Sequence, residues 1–452
     1  MKMRPRLSIV WRVGVTVALV AFCFGGCGTV GEVGVAYTGD AGALSEDSRG
    51  PCDNLECQQV KCAPGHATTI SGTFVTGSKT HPDPIYGGVV YVPNRPVEPF
   101  TLGVSCDRCT SSLSGRPLVS AVTYTNGGFS LANAPVGENI PLVVQVGRWR
   151  RQVVIPHIEA CTDNPLPHDL TRLPRNQSEG DIPLTAIVTG GVDPVECALR
   201  KMGVEDAEFT LPHQSGRIRV YRQDGANVFP DAPPGFALWG DPAELAKYDL
   251  VLLPCEGRDY PRQPEYQQNL IDYTGRGGRL FTSHYGYNWI RDAPAPFAQT
   301  AVWNANDEVM GDPSLAYVDT TFAKGAAFAS WLITVGASTE AGQLSITEAR
   351  HNADATLHGS QRWLFTGQRI PSLQHYTFNT PVGIAPAEQC GRVVFSDFHV
   401  VTGESNTKVF PDECYGDELN AQGKVLEFML FDVLSCVQSE TGAATVPTPP
   451  SK

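Results

Sequence analysis

The chain has 452 residues, enough for two or three domains of roughly 100–200 residues each. Hydrophobic residues make up 42% and charged residues only 18%, with 45 Gly and 35 Pro; this is a loop-rich, β-rich composition that excludes a coiled coil or a disordered chain. The formal net charge of −13 excludes nonspecific binding to nucleic acid, whose phosphates it would repel, and no nucleic-acid-binding motif occurs.

Lys2, Arg4, Arg6 and Arg12 precede an apolar run from Val13 to Phe24. This is the charged-then-apolar layout of an export signal. The run is shorter than the ~20 residues of a spanning helix. It ends in Phe24-Gly25-Gly26-Cys27, which resembles the lipobox of bacterial lipoproteins. The resemblance implies cleavage before Cys27, lipidation of that cysteine and a membrane partner. Gly28, rather than Asp, follows Cys27, which favours the outer membrane.

Thirteen cysteines suit an oxidising compartment. Setting aside Cys23 and Cys27 leaves eleven, so at least one lacks an intrachain disulfide partner. Cys106 and Cys109 have zinc-like CxxC spacing, but no second CxxC or HxxxH follows; disulfides are expected instead.

Residues 28–67 read as a tether with its own cysteines, Cys52, Cys57 and Cys62. From 68 to 160 come short alternating strands, with Asn126-Gly127 read as a hairpin turn. The spacing predicts a small all-β sandwich. Gly72, Gly88-Val89-Val90, Gly128-Phe129, Leu131, Pro135 and Gly137 resemble the carboxypeptidase regulatory-like, transthyretin-like domain. That resemblance implies an accessory, non-catalytic module. The segment 101–116 departs from the short loop of that family and is expected to be a disulfide-pinned protrusion.

Residues 161–182 read as a linker. A multidomain chain follows from what comes next, an α/β open sheet of flavodoxin or amidotransferase type over 183–436. "LTAIVTGG", "GRIRVY", "YDLVLLPCEG", "RLFTSHYG" and "CGRVVFSDFHV" supply buried strands, and "AQGKVLEFMLFDVLSC" a closing helix. Asp193, Pro194 and Glu196 have the spacing of a capping box for a helix in "VDPVECALRKMG". Residues 293–380 read as an insertion or cap over the carboxyl edge of the sheet. The tail 437–452 reads as disordered.

Tyr248 to Leu252, Gly277 to Phe281 leading to His284, and Gly391 to Phe395 resemble the class I glutamine-amidotransferase-like fold, in its trehalose-utilisation-type branch. The whole chain resembles large secreted lipoproteins of myxobacterial type. In amidotransferases the strand after Gly-Gly ends in a nucleophilic cysteine. Here Ser283-His284-Tyr285-Gly286 stands there, so thiol chemistry at that place is not expected.

Ligands bind open α/β sheets outside the carboxyl ends of the strands. Four such ends carry polar groups: Thr189-Gly190-Gly191, Glu256-Gly257, Ser283-His284, and Asp397 with His399. Thr189, Gly190, Gly191 and Ser283 are ligand-binding candidates, the glycines at a helix N-terminus that would favour an anion. His284, Asp397, His399 and Glu256 are the catalytic candidates, as acid, base and orienter or as N/O metal ligands. The alternative for Glu256 is a plain ion pair with an arginine such as Arg258 or Arg279. Arg148, Arg150 and Arg151 around Trp149 form a basic-aromatic run, read as largely solvated. Trp149, Trp239, Trp289, Trp303 and Trp363 are carbohydrate candidates that are more often core residues.

No cofactor motif occurs. The preferred function is a surface-anchored lipoprotein with a non-enzymatic binding or structural role toward a carbohydrate or protein ligand. The alternative is a hydrolase or metal-dependent enzyme using a pocket at the carboxyl edge of the sheet.

Overall fold

A computed structural model describes residues 52–109, 111, 113–223, 228–367, 371–400 and 408–442. The export signal, Cys27 and the tail from 443 lie outside the described residues.

The first strands are β1 (Thr69–Thr73), β2 (Val89–Pro93), β3 (Pro117–Val122), β4 (Gly128–Ala132), β5 (Gly137–Val146), β6 (Trp149–Ile158) and β7 (Asp163–Pro165). They form a three-stranded sheet, β4-β1-β7, and a four-stranded sheet, β3-β2-β5-β6. Alternating residues bury Ile70, Phe129, Leu131, Ile140, Leu142 and Val144. The Asn126-Gly127 turn differs from expectation. β3 pairs with β2, and β4 with β1, so this turn carries the chain from one sheet to the other. Gly127 takes φ +71° there, and a Cβ would lie 2.5 Å from the Phe74 carbonyl oxygen. The tight hairpin lies instead between β5 and β6, where Val146 pairs with Trp149.

The second part begins with β8 (Thr185–Thr189), α1 (Val195–Lys201), β9 (Phe209–Thr210), β10 (Ile218–Arg222), α2 (Phe236–Trp239), α3 (Pro242–Leu245) and β11 (Leu250–Leu253). It continues with α4 (Pro264–Gly275), β12 (Arg279–Ser283) and a 3₁₀ turn, His284–Trp289. Next come β13 (Ala301–Val309), β14 (Ser314–Val318), α5 (Ala323–Thr334), β15 (Gln343–Ile346), β16 (Arg350–Thr356), β17 (Gln361–Thr366) and β18 (Ser372–Thr380). β19 (Gly391–Ser396) and α6 (Ala421–Leu434) close the chain.

One ten-stranded sheet runs β15-β14-β17-β18-β19-β12-β11-β8-β10-β9. The strands from β19 to β9 are parallel. Within them β10-β8-β11-β12-β19 has the 2-1-3-4-5 order of flavodoxin-like sheets. The chain leaves β10 and crosses β8 to reach β11, so the topological switch lies between β8 and β11. Leu250 to Leu253 are all buried, as a strand covered on both faces requires.

The residues 293–380 build more than a cap. β14, β15, β17 and β18 extend the main sheet in antiparallel pairing, while β13 and β16 form a separate two-stranded sheet. The stretch read as a linker is packed: Thr171, Arg172 and Leu173 are buried, and Arg172 pairs with Glu179 at 2.7 Å. Part of the presumed disordered tail is packed too. Val437 is buried, and Glu440 pairs with Arg392 at 2.7 Å.

α6 is buried along its whole length after Ala421. A helix apolar all round belongs inside a core. Phe428 stacks on Tyr86 at 5.9 Å, and Phe431 meets Trp149 edge-on at 6.0 Å. Two of its ionisable side chains are paired: Lys424 with Asp83 at 3.0 Å, and Asp432 with Lys324 at 2.6 Å and with Arg392 at 2.7 Å. The small sheets thus share one hydrophobic core with the α/β part.

Disulfides join Cys52–Cys57, Cys62–Cys161, Cys106–Cys390, Cys109–Cys436 and Cys197–Cys414. The 101–116 segment is therefore a bridge stapled to the α/β part, and Cys62 pairs outside the cysteine group of its own segment. Five disulfides are the pattern of an exported chain. Among the described residues, no helix is long and apolar enough to cross a membrane. Among the described residues Cys255 is the free cysteine, and it is buried.

Candidate functional site

The parallel strands bring four chain segments to one edge. Leu253 of β11 lies opposite Thr282 of β12, and Ser283 lies opposite Ser396 of β19. The residues just beyond these ends, Cys255, His284 and His399, therefore meet. Cys255 Sγ lies 3.4 Å from His284 Nδ1, and His284 Nδ1 lies 2.9 Å from His399 Nε2. All three side chains are buried. His399 Nδ1 donates to Glu348 Oε2 at 2.6 Å, which leaves the Nε2 lone pair facing His284. Glu348 reaches solvent, with 46% of its side chain exposed.

A second polar knot supports this cluster. Ser283 Oγ donates to Asp193 Oδ2 at 2.5 Å and accepts from the Cys255 N–H at 3.0 Å. Asp193 Oδ1 accepts from the Val400 N–H at 2.8 Å. One buried carboxylate thus ties the ends of β8, β11, β12 and β19 together. Asp193 makes no side-chain cap on α1, whose N-cap is Pro194; the expected capping box is absent. Tertiary partners outcompete the local hydrogen bond.

His284 has φ +37°, in the left-handed region that a non-glycine residue enters at a cost of roughly 1–3 kcal/mol. Its neighbourhood holds it there. Gly286 has no room for a Cβ, which would lie 1.8 Å from Thr282 Oγ1. Asp259 accepts from the Tyr287 hydroxyl at 3.1 Å and from Asn288 Nδ2 at 2.9 Å, clamping the turn to the loop after β11.

The remaining candidates are placed differently. Asp397 Oδ2 accepts from the Asn352 N–H at 2.7 Å, which ties its carboxylate to β16. Glu256 pairs with Arg262. Arg262 in turn lies over Trp289 at 4.6 Å. Thr189 Oγ1 donates to the Tyr221 carbonyl at 3.3 Å, inside the sheet. Gly190 is needed for packing: a Cβ there would lie 2.2 Å from the Cys255 carbonyl oxygen. Gly191 is half-buried, and the first turn of α1 beyond it holds the buried carboxyl of Glu196, which does not favour an anion. Trp149, Trp239, Trp289 and Trp363 are buried, and Trp303 half-buried. Arg148 and Arg150 are also buried, paired with Asp249 at 2.7 Å and Asp181 at 2.8 Å.

Sequence reasoning missed three members. Cys255 follows the strand before the one whose end corresponds to the amidotransferase nucleophile, Asp193 has the spacing of a helix cap, and Glu348 lies in the insertion. The available signal was Cys255 itself, one of an odd set of cysteines at a strand's carboxyl end.

Burial pushes the Cys255 thiol well above the usual range, and the nearby Asp193 adds to this. The cluster therefore holds a protonated thiol, a poor nucleophile, beside two imidazoles; only with the thiol proton displaced by a cation would it become a sulfur–nitrogen donor set for a metal. A cavity of about 390 Å³ lies elsewhere, between the four-stranded sheet and α6, beside Tyr86, Phe100, Trp331 and Phe428. Of its charged lining, Arg148 pairs with Asp107 at 2.9 Å and Lys324 with Asp432 at 2.6 Å. It holds none of the strand-end polar groups.

No family model and no curated protein matches the chain. Among solved structures it is similar to a ThuA-like protein from Bacteroides uniformis, at 10% identity, 55% coverage of this chain, 91% of the other and TM-score 0.30. A ThuA-like protein from Parabacteroides merdae gives 9%, 60%, 96% and 0.30. PurLQS from Thermotoga maritima gives 11%, 55%, 97% and 0.30.

Proposed function

We propose that this chain is a cell-envelope lipoprotein, anchored through Cys27, that binds a ligand at the carboxyl edge of its parallel sheet and does not catalyse a thiol-dependent reaction. The observation that carries the binding reading is the convergence of Cys255, His284 and His399 beside the β8/β11 switch, with every nucleophilic group there already engaged. The Ser283 hydroxyl is held by Asp193, and the Cys255 thiol is fully buried. Export is supported by five disulfides, two of which staple the 101–116 segment to the α/β part. The two small sheets over 69–165 support an accessory module of the carboxypeptidase regulatory-like kind. The α/β part is read as a degenerate amidotransferase-like domain that keeps the edge geometry without the nucleophile.

Two measurements test this. Cys27→Ser is expected to move the protein from the membrane to the soluble fraction; unchanged membrane fractionation rejects the anchor. The native, metal-free protein is expected to resist iodoacetamide at pH 8 while the unfolded protein is alkylated at Cys255. Rapid alkylation of the native protein would mean an accessible, reactive thiol and would reject the non-catalytic reading.

A further inference from the structure

We infer that Cys255, His284 and His399 form a binding site for a divalent transition ion of the zinc class, with Glu348 orienting His399. This deepens the binding reading above, on which it rests, by naming the ligand.

Geometry is the first support. The three ligand atoms lie within 4.8 Å of one another. Tetrahedral zinc with Zn–S of about 2.3 Å and Zn–N of about 2.05 Å separates two nitrogens by about 3.3 Å and sulfur from nitrogen by about 3.6 Å. The observed separations are 2.9 Å and 3.4 Å, so small outward shifts of the three side chains admit the ion.

Proton count is the second. His399 Nδ1 donates to Glu348, so its Nε2 is an acceptor while the ring is neutral. His284 Nδ1 faces both that nitrogen and the Cys255 sulfur. A single ring nitrogen carries one proton or one lone pair, and serves both partners poorly. One cation accepts all three lone pairs at once, with the Cys255 S–H proton released to solvent as the Zn–S bond forms.

The surroundings favour the bound form. The Gly257 N–H donates to Cys255 Sγ at 3.4 Å, as it would to a metal-bound thiolate. The carboxylate–histidine pairing of Glu348 and His399 is the usual second layer of a metal site, fixing tautomer and ring direction. Sulfur with two imidazoles selects late first-row ions over magnesium or calcium. Glu348 is at the surface and marks the route inward. The second Cys/Glu group, Cys197, Glu413 and Cys414, carries no such inference because its sulfurs are in a disulfide.

The test is titration of Co²⁺ into the disulfide-intact, chelator-treated protein at pH 7.5. The expected result is saturable binding at one equivalent, with visible bands and a near-ultraviolet thiolate-to-cobalt band, both removed by Zn²⁺. Cys255→Ser should abolish the near-ultraviolet band, and His399→Ala should weaken binding. Glu348→Gln, at a surface position where folding is expected to survive, should weaken binding 10–100-fold. Absence of the near-ultraviolet band in the unmodified protein, or its persistence in Cys255→Ser, overturns the site. Unchanged Co²⁺ affinity in Glu348→Gln overturns the orienting role. If cobalt does not bind and Cys255 still resists iodoacetamide, only the metal assignment fails; if Cys255 is alkylated, the binding reading fails with it.

Discussion

Two buried groups of similar composition have opposite fates in this molecule. At the carboxyl edge, Cys255 keeps its thiol and faces two imidazoles. Behind α1, Cys197 and Cys414 are oxidised to a disulfide beside Glu413. The first group keeps its lone pairs directed at one point; the second has spent its sulfur valence on a covalent staple. The staple leaves the Glu413 carboxyl buried with no hydrogen-bond partner among the described residues, close to the buried Glu196. Cysteine at a buried site thus says little by itself. What decides its role is whether a second cysteine lies within bonding distance.

Each side of this comparison can be tested, beginning with the strongest effect. Replacing both Cys197 and Cys414 by Ala opens a link across 217 residues and is expected to cost roughly 3–5 kcal/mol in urea unfolding. A loss below about 1 kcal/mol would mean that packing alone holds α1 to the 408–420 segment. Next, Asp193→Ala leaves the Ser283 hydroxyl and the Val400 N–H without their buried acceptor. The expected loss is roughly 2–4 kcal/mol, with weaker Co²⁺ binding because the segments bearing Cys255 and His399 are freed. Unchanged unfolding would show that Asp193 is not the tie across the four strand ends.

The smallest effect is the most specific. Burial raises the Glu413 carboxyl to about 9, with Glu196 adding to it, and burial raises Glu196 to about 7. Both groups hold protons in the folded chain that the unfolded chain releases above about pH 4.5. Their protonation therefore favours folding fully below that pH, and this contribution is lost as pH rises toward 7–9. Glu413→Gln should leave stability near pH 4 unchanged and raise it at pH 8.5 by about 1–2 kcal/mol. Equal effects at both pH values would remove the carboxyl from the account.

Much of the architecture is legible locally. Continuous apolar runs such as Leu250 to Leu253 are strands, and the helix predicted for "VDPVECALRKMG" forms at Val195–Lys201. The site is legible only in part. His284 and His399 are foreseeable because strand ends in an α/β sheet face a common edge. Asp397 and Glu256 follow the same rule, yet turn to Asn352 and Arg262, because side-chain direction past a strand end depends on neighbours distant in sequence.

The sequence by itself determined the strands, the main helices and an exported, cysteine-rich character. These depend on periodicity and composition, which adjacent residues carry. Tertiary structure alone decided the cysteine pairing, the joining of 293–380 to the main sheet and the diversion of Asp193 from helix cap to inter-strand tie. It also decided the meeting of Cys255 with His284 and His399. All four depend on strand order, which sets which chain ends become neighbours and is not encoded in any single window of the chain.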